Sequence, residues 1–344
     1  MPGGWGLHFR RRRVEPTGYG AQGIMTEIYR SDEVTVIEQR PTVVTIGNFD
    51  GMHTGHQRLF KEAVERARTR QARSVGLTFE PHPMAFFRPD AAPERLTPMP
   101  YKAQEMARQG VDAVVVWDFD ERLSSRSPTA FVEDILVDTL GAVHVVVGSD
   151  FRFGKKRAGD VETLEALGEE FGFSVTVADV VTYEGEKIGS TRIREALLQG
   201  AIREARAMLG RPMRLWGEVV EGEARGRALG FPTANLEVVD MATPTDGVYA
   251  TTLGRQGEPH WAAITNIGHR PTFDGQERTV ETFVLDDAVG LELDLYGDDV
   301  ELDFYQRIRG ERAFESPQAL VAQIESDVEE ARAILKREGI DGAG

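Results

Sequence analysis

The rhythm of apolar residues changes once along this chain, near residue 211, and that change limits the possible folds severely. From residue 41 to about 200, apolar β-branched runs at 43–46, 75–79, 113–117, 143–147 and 174–180 alternate with helical patterns at 56–72, 101–109, 129–140 and 161–171. Continuous apolar strands between helices imply a parallel sheet covered on both faces, an α/β Rossmann-like arrangement. After residue 211 the runs shorten and alternate, at 215–220, 247–253, 261–267, 278–285 and 300–308, with Gly, Pro, Asp and Asn between them. That pattern predicts an antiparallel β-barrel or sandwich. A helix over 317–338 follows, with Leu320, Val321, Ile324, Val328, Ala331 and Leu335 on the face expected to pack on the barrel. A helix over 201–209 is expected to join the two domains.

The 344 residues suit about two domains. No apolar run approaches the ~18 residues that span a bilayer, and there is no cysteine, which excludes disulfides, thiolate zinc sites and cysteine nucleophiles. A cytoplasmic protein is expected, with self-association left open. The net charge of −16 opposes nucleic-acid binding. Residues 1–25 hold Arg10 to Arg13, six glycines and one acid, Glu15, so they read as a disordered tail or a misassigned start before Met25.

Chemistry concentrates after the first strand, in Gly47-Asn48-Phe49-Asp50-Gly51-Met52-His53-Thr54-Gly55-His56. A glycine turn leads into a helix, whose free N–H groups and dipole favour phosphate. His53 and His56, three apart, share a helix face and can address one phosphate group. In parallel sheets ligands bind at the carboxyl ends of the strands. Two further motifs fall there: Glu80-Pro81-His82-Pro83 and Gly148-Ser149-Asp150-Phe151-Arg152-Phe153-Gly154. Phe151 and Phe153 offer aromatic faces to a flat ring, and Lys155, Lys156 and Arg157 offer cations to phosphate. Residues 189–194, Gly-Ser-Thr-Arg-Ile-Arg, open another helix, with Ser190 or Thr191 as its expected N-cap and Arg194 as a fork-shaped donor.

The string GNFDGMHTGH, DFRFG and the STxIR-like segment together resemble the FAD synthetase module of bacterial bifunctional riboflavin kinase/FAD synthetases. The resemblance implies transfer of AMP from ATP to the phosphate of FMN, with release of pyrophosphate. It implies that His53 and His56 are catalytic. Gly47, Asn48, Phe49, Asp50, Gly51, Gly55, Ser190, Thr191 and Arg194 then serve ATP, and His82, Asp150, Phe151, Phe153 and Gly154 serve the flavin or nucleotide.

In the second domain, Gly226-Arg227-Ala228-Leu229-Gly230-Phe231-Pro232-Thr233-Ala234-Asn235 reads by itself as a glycine-rich β-turn. Its glycines permit close backbone approach to phosphate. The Thr233 hydroxyl and Asn235 carbonyl are hard oxygen ligands suited to Mg²⁺. The stretch resembles the PTAN motif of riboflavin kinases, which implies an ATP site at Gly226, Arg227, Gly230, Phe231, Pro232, Thr233 and Asn235, with Thr233 and Asn235 toward the metal. The same resemblance marks Glu281 as the base that accepts the riboflavin hydroxyl proton, and Asn266 and Arg309 as flavin contacts. Phe283 departs from the histidine usual two residues after that glutamate.

Expected from all of this is a bifunctional enzyme: an FAD synthetase domain over 27–199 and a riboflavin kinase domain over 207–339. ATP, riboflavin and FMN are its small-molecule substrates, FMN and FAD its products and Mg²⁺ its cofactor. An adenylyltransferase with another acceptor, or a non-catalytic flavin-binding regulator, are the alternatives.

Overall fold

The structure is a computed structural model that describes residues 13–14, 26–31, 41–221, 231–238, 240–272, 275–285 and 295–340. The calls on Gly226, Arg227 and Gly230, and those on residues 1–25 other than 13–14, lie outside the described residues. The chain forms two compact units, Met1–Pro93 with Thr97–Ile188, and Glu94–Leu96 with Gly189–Gly344.

In the first unit, chain order runs β1 (Arg13–Val14), β2 (Thr26–Arg30), β3 (Thr42–Ile46), α1 (Thr54–Arg70), β4 (Arg73–Glu80), α2 (Pro83–Phe87), α3 (Tyr101–Ala107), β5 (Ala113–Asp118) and α4 (Glu121–Ser124). It continues with α5 (Pro128–Phe131), a π-helical segment (Val132–Thr139), β6 (Ala142–Gly148), α6 (Val161–Phe171), β7 (Ser174–Ala178) and a small hairpin of β8 (Thr182–Tyr183) and β9 (Glu186–Lys187). Seven strands make one sheet in the order β1-β2-β5-β4-β3-β6-β7. All neighbours are parallel except β1 and β2. The five strands expected from sequence are all present. β1 and β2 were not expected, and β1 falls inside the segment read as a tail.

Alternation along the strands divides the core. Val44, Ile46, Val75, Val145 and Val147 face one helical layer with Ile135, Leu136 and Leu164. Val43, Val114, Val116 and Val146 face the other, with Phe60 and Ala63. Each fully buried valine or isoleucine contributes about 1.5–3 kcal/mol. The chain builds outward from β3 through β4 to β5, then returns to place β6 on β3's other side. Such a reversal opens a crevice at the carboxyl ends of the two strands. The histidine turn follows β3 and the Gly148–Gly154 loop follows β6, so both border this switch point.

The second unit holds α7 (Ser190–Leu198), α8 (Ile202–Leu209), β10 (Met213–Val220), β11 (Ala234–Val238), β12 (Gly247–Arg255), β13 (Trp261–Thr272), β14 (Gly275–Val284), β15 (Asp299–Arg309) and α9 (Pro317–Arg337). Its strands close an antiparallel barrel, β10-β11-β14-β13-β12-β15. Leu215, Tyr249, Leu253, Leu302 and Phe304 are buried in it, beside a hydroxyl chain of Thr251, Thr265 and Thr282 linked at 2.8 and 2.9 Å. The opposite face, with Val248, Ala250 and Ile264, packs on Ala331, Ile334 and Leu335 of α9. The expected stripe on this helix therefore divides in function. Its C-terminal half covers the barrel, while Leu320 and Ile324 line a cavity. β11 had been expected only as the end of a turn.

Candidate active sites

In the first unit the turn after β3 is built around a buried ring. Phe49, Gly51 and Met52 take left-handed backbone with φ of 50°, 85° and 42°. For the two non-glycine residues this costs on the order of 1–2 kcal/mol each. The core offsets it: Phe49 is fully buried and meets Phe60 edge-on at 4.8 Å. Gly47 is required for close approach, because a Cβ there would lie 2.9 Å from the Phe49 ring. The Phe49 side chain is thus a support of the turn and not a nucleotide contact. Asp50, also buried, accepts a hydrogen bond from the Thr97 N–H at 3.0 Å. The exposed Asn48 is held by its carbonyl, which accepts from the Thr78 hydroxyl at 3.2 Å.

This turn delivers two stacked histidines. The rings of His53 and His56 lie 3.6 Å apart at 18°. Gly55 permits the stack, since a Cβ there would stand 3.1 Å from the His53 ring. His53 is the N-cap of α1, its Nδ1 accepting the His56 N–H at 3.3 Å. A neutral imidazole that accepts at Nδ1 carries its proton on Nε2. Burial pulls the His53 pKa down to about 4. Burial likewise holds His56 well below the usual histidine range, aided by His53, Lys102 and Lys187. Both rings are neutral near pH 7, so each can offer a ring N–H but no positive charge. The His56 Nδ1 is enclosed without a protein partner.

The charge beside these rings comes from a residue the sequence reading passed over. Lys187, at the end of β9, pairs with Asp150 at 2.6 Å and acts electrostatically on both histidines. Burial works to raise the Asp150 pKa, but Lys187 outweighs it and the carboxyl sits below its ordinary value.

Two expectations need correction here. Phe153 is buried, stacked on Phe151 at 5.4 Å and packed on Phe131 at 5.6 Å, so it is core and not a platform for a ligand. Phe151 is half-buried against the same core. Gly154 has φ of 70°, and a Cβ there would strike Pro128 at 2.8 Å. His82 caps α2, with Nδ1 accepting from Met84 N–H at 3.2 Å. Beyond it Phe86 and Phe87 are exposed, each edge-on to Phe119 at 5.5 and 5.6 Å. The second correction concerns α7: Gly189, not Ser190 or Thr191, is its N-cap, and no side chain caps it. Ser190, Thr191 and Arg194 all lie on α7, in the second unit, where Arg194 Nε donates to the Glu94 carbonyl at 2.6 Å.

The second unit gathers its candidates by register. Asn235 on β11 opposes Glu281 on β14, Glu281 opposes Asn266 on β13, Asn266 opposes Val248 on β12, and Val248 opposes Arg309 on β15. Directly opposed residues share a face of the sheet. This row borders a cavity of about 680 Å³ lined by Phe231, Thr233, Asn266, Glu281, Phe283 and Arg309, with Leu320, Ile324 and Asp327 of α9. Arg309 is fixed by a fork to buried Asp327, at 2.9 and 2.7 Å. Asp327 also accepts from Gln323 at 2.6 Å. Phe283 meets Phe231 edge-on at 5.5 Å, and makes an apolar wall where a histidine would offer a hydrogen bond. Thr233 and Glu281 line this cavity and Asn235 stands opposite Glu281 in register; their oxygens are of the hard type that suits Mg²⁺.

Among the described residues no helix is long and apolar enough to cross a membrane. The family model for FAD synthetase matches residues 36–192, and that for riboflavin kinase matches 209–335. A bifunctional riboflavin kinase/FMN adenylyltransferase of Pseudomonas fluorescens is 40% identical over 298 residues, 86% of this chain and 94% of its own. One from Listeria monocytogenes is 38% identical over 310 residues, 89% and 96% of the two chains. A Streptococcus pneumoniae crystal structure, named as a macrolide-efflux protein, superposes with a TM-score of 0.77 at 32% identity, over 87% of this chain and 96% of its own. Two matched domains in this order, on a parallel sheet and a closed barrel, place the chain in the bifunctional riboflavin kinase/FMN adenylyltransferase family, which phosphorylates riboflavin to FMN with ATP and adenylylates FMN to FAD.

Proposed function

We propose that the two activities use separate sets of residues, in domains spanning 27–199 and 207–339. In the adenylyl step, an oxygen of the FMN phosphate attacks the α-phosphorus of ATP and pyrophosphate leaves. His53, through Nε2–H, and His56 donate to the phosphoryl oxygens on which charge grows. Lys187 supplies positive charge beside them. Ser190, Thr191 and Arg194 at the start of α7 serve the departing phosphates. Phe86 and Phe87, in place of Phe153, give the isoalloxazine an exposed aromatic face. Gly47, Gly51 and Gly55 shape the turn.

In the kinase step, Glu281 accepts the proton of the riboflavin hydroxyl as its oxygen attacks the γ-phosphorus of ATP, and ADP leaves. Asn266 and Arg309 orient the flavin. Thr233 and Asn235 would hold Mg²⁺, which supplies charge neutralisation on the phosphates when bound. The whole protein works in the cytoplasm, where riboflavin and ATP meet.

The observation that carries this reading is the cross-strand row of Asn235, Glu281, Asn266 and Arg309, the last three lining one cavity, separate in sequence from the stacked histidines. The test follows products by chromatography after incubation with riboflavin, ATP and Mg²⁺. His53→Ala is expected to accumulate FMN without FAD. Glu281→Ala is expected to make FAD only from supplied FMN. If either substitution stops both steps in a folded protein, the two-site assignment fails.

A further inference from the structure

Lys102 is a buried cation that neither active-site assignment uses. It stands on α3 with only 3% of its surface exposed. Burying a lysine is costly unless its ammonium is paired. Here Nζ donates to the Phe79 carbonyl at 3.2 Å and lies 3.9 Å from the Glu80 carboxylate, at the carboxyl end of β4. That end leads directly into Pro81 and His82. Five residues earlier, Thr97 is tied to Asp50 in the turn that carries the histidines. The 97–102 segment is therefore fastened at one end to the histidine turn and at the other to β4. The Lys102 charge also acts on His56.

We propose that Lys102 is a positioning residue of the adenylyl-transfer reaction: it locks α3 and the end of β4 behind the histidine turn. A cation beside an imidazole disfavours a second proton on the ring. The arrangement thus preserves a donor without leaving a mobile charge on the ring that meets phosphate. The other charged or titratable groups acting on His56 are His53 and Lys187, and Asp150 acts on His53. The inference rests on the assignment of His56 to the adenylyl site, so His56→Ala is run beside it.

The experiment compares full-length wild type, Lys102→Met, Lys102→Arg, Glu80→Gln and His56→Ala for FAD formation from FMN across pH, with riboflavin kinase activity measured in each preparation. Lys102→Met is expected to lower kcat for FAD formation by about tenfold to a hundredfold, with KM for FMN little changed and kinase activity retained. Its acid limb is expected to move upward by roughly half a pH unit or more. Lys102→Arg should recover most of both effects. Glu80→Gln, which removes the negative neighbour, should move the limb the other way, and it serves as the readout if Lys102→Met does not fold. A purely structural lysine cannot produce opposite shifts for opposite charges. The proposal is overturned by an unmoved acid limb in Lys102→Met and Glu80→Gln, or by wild-type kcat in Lys102→Met while His56→Ala is inactive. An active His56→Ala would instead remove the site assignment beneath it.

Discussion

The two proposed active sites are assembled by different means. His53 and His56 stack within one turn of chain, and the residues that hold them, Gly47, Phe49 and Gly55, lie within ten positions. Asn235, Asn266, Glu281 and Arg309 come from separate strands and are aligned only because β11, β14, β13, β12 and β15 pair in one register. A one-residue slip in any of these strands would turn its side chain to the other face. The proposed adenylyl site therefore depends on local backbone shape, and the proposed kinase site on barrel closure.

The largest expected effects cut this comparison cleanly. His53→Ala should slow FAD formation from FMN by roughly a thousandfold and Glu281→Ala should slow FMN formation by a similar factor. Mixing the two purified variants should restore FAD synthesis from riboflavin, because each supplies the intact site the other lacks. A mixture as inactive as either variant alone would mean that the sites do not work independently. Below these stands the phosphate end of the kinase row. Asn235→Ala should lower the kinase rate by about a hundredfold and raise the Mg²⁺ concentration that gives half-maximal rate. An unchanged Mg²⁺ dependence would remove Asn235 from the metal.

A third prediction probes the barrel. Arg309→Met leaves the buried Asp327 carboxylate without its fork. Removing one partner of a buried pair costs about 3 kcal/mol or more. The urea midpoint of kinase loss should fall accordingly, while that of FAD formation stays put. Adding Asp327→Asn should recover much of the loss. A double variant as unstable as the single one would show that the fork holds more than a charge.

Legibility followed the same division. The alternation of 43–46 with 56–72 showed the parallel sheet, and the string from Gly47 to His56 the strand–turn–helix that carries the candidate phosphate site, because both signals are local in sequence. The barrel strands were visible, but not their neighbours. β11 hid behind a glycine-rich turn, and the meeting of Asn235 with Glu281 exists only as register. β2 escaped notice because Thr26–Arg30 mixes polar and apolar residues at the sheet's margin. Phe153 and Phe87 show the limit of composition. Both are phenylalanines beside a motif, yet one is 6% exposed and the other 60%. Only tertiary packing decides which can meet a ligand. Lys187 and Lys102 were missed for the same reason: a single lysine carries no pattern until its neighbours are known.

The smallest prediction separates the two units by acid. His53 and His144 in the first unit both have pKa values pulled down by burial, each to about 4, and burial also holds His56 well below its ordinary value. His144 is enclosed between the Ser174 and Thr176 hydroxyls at 2.6 and 2.9 Å. In the unfolded chain each would titrate near ~6.5. Below that value the unfolded state binds protons that the folded state refuses. Stability from these groups is thus fully present above about pH 6.5 and is lost as pH falls toward 4, at about 1.4 kcal/mol per pH unit for each histidine. Asp150, whose pKa is lowered from 3.8, acts only below this window. Urea titrations at pH 7, 6 and 5, read by FAD formation after return to neutral buffer, should show a midpoint that drops with each step. His144→Asn should flatten that slope by removing one of the three groups. A slope unchanged by His144→Asn would mean that this ring does not resist protonation in the folded unit, and would leave His53 and His56 to account for the acid sensitivity of the adenylyl half.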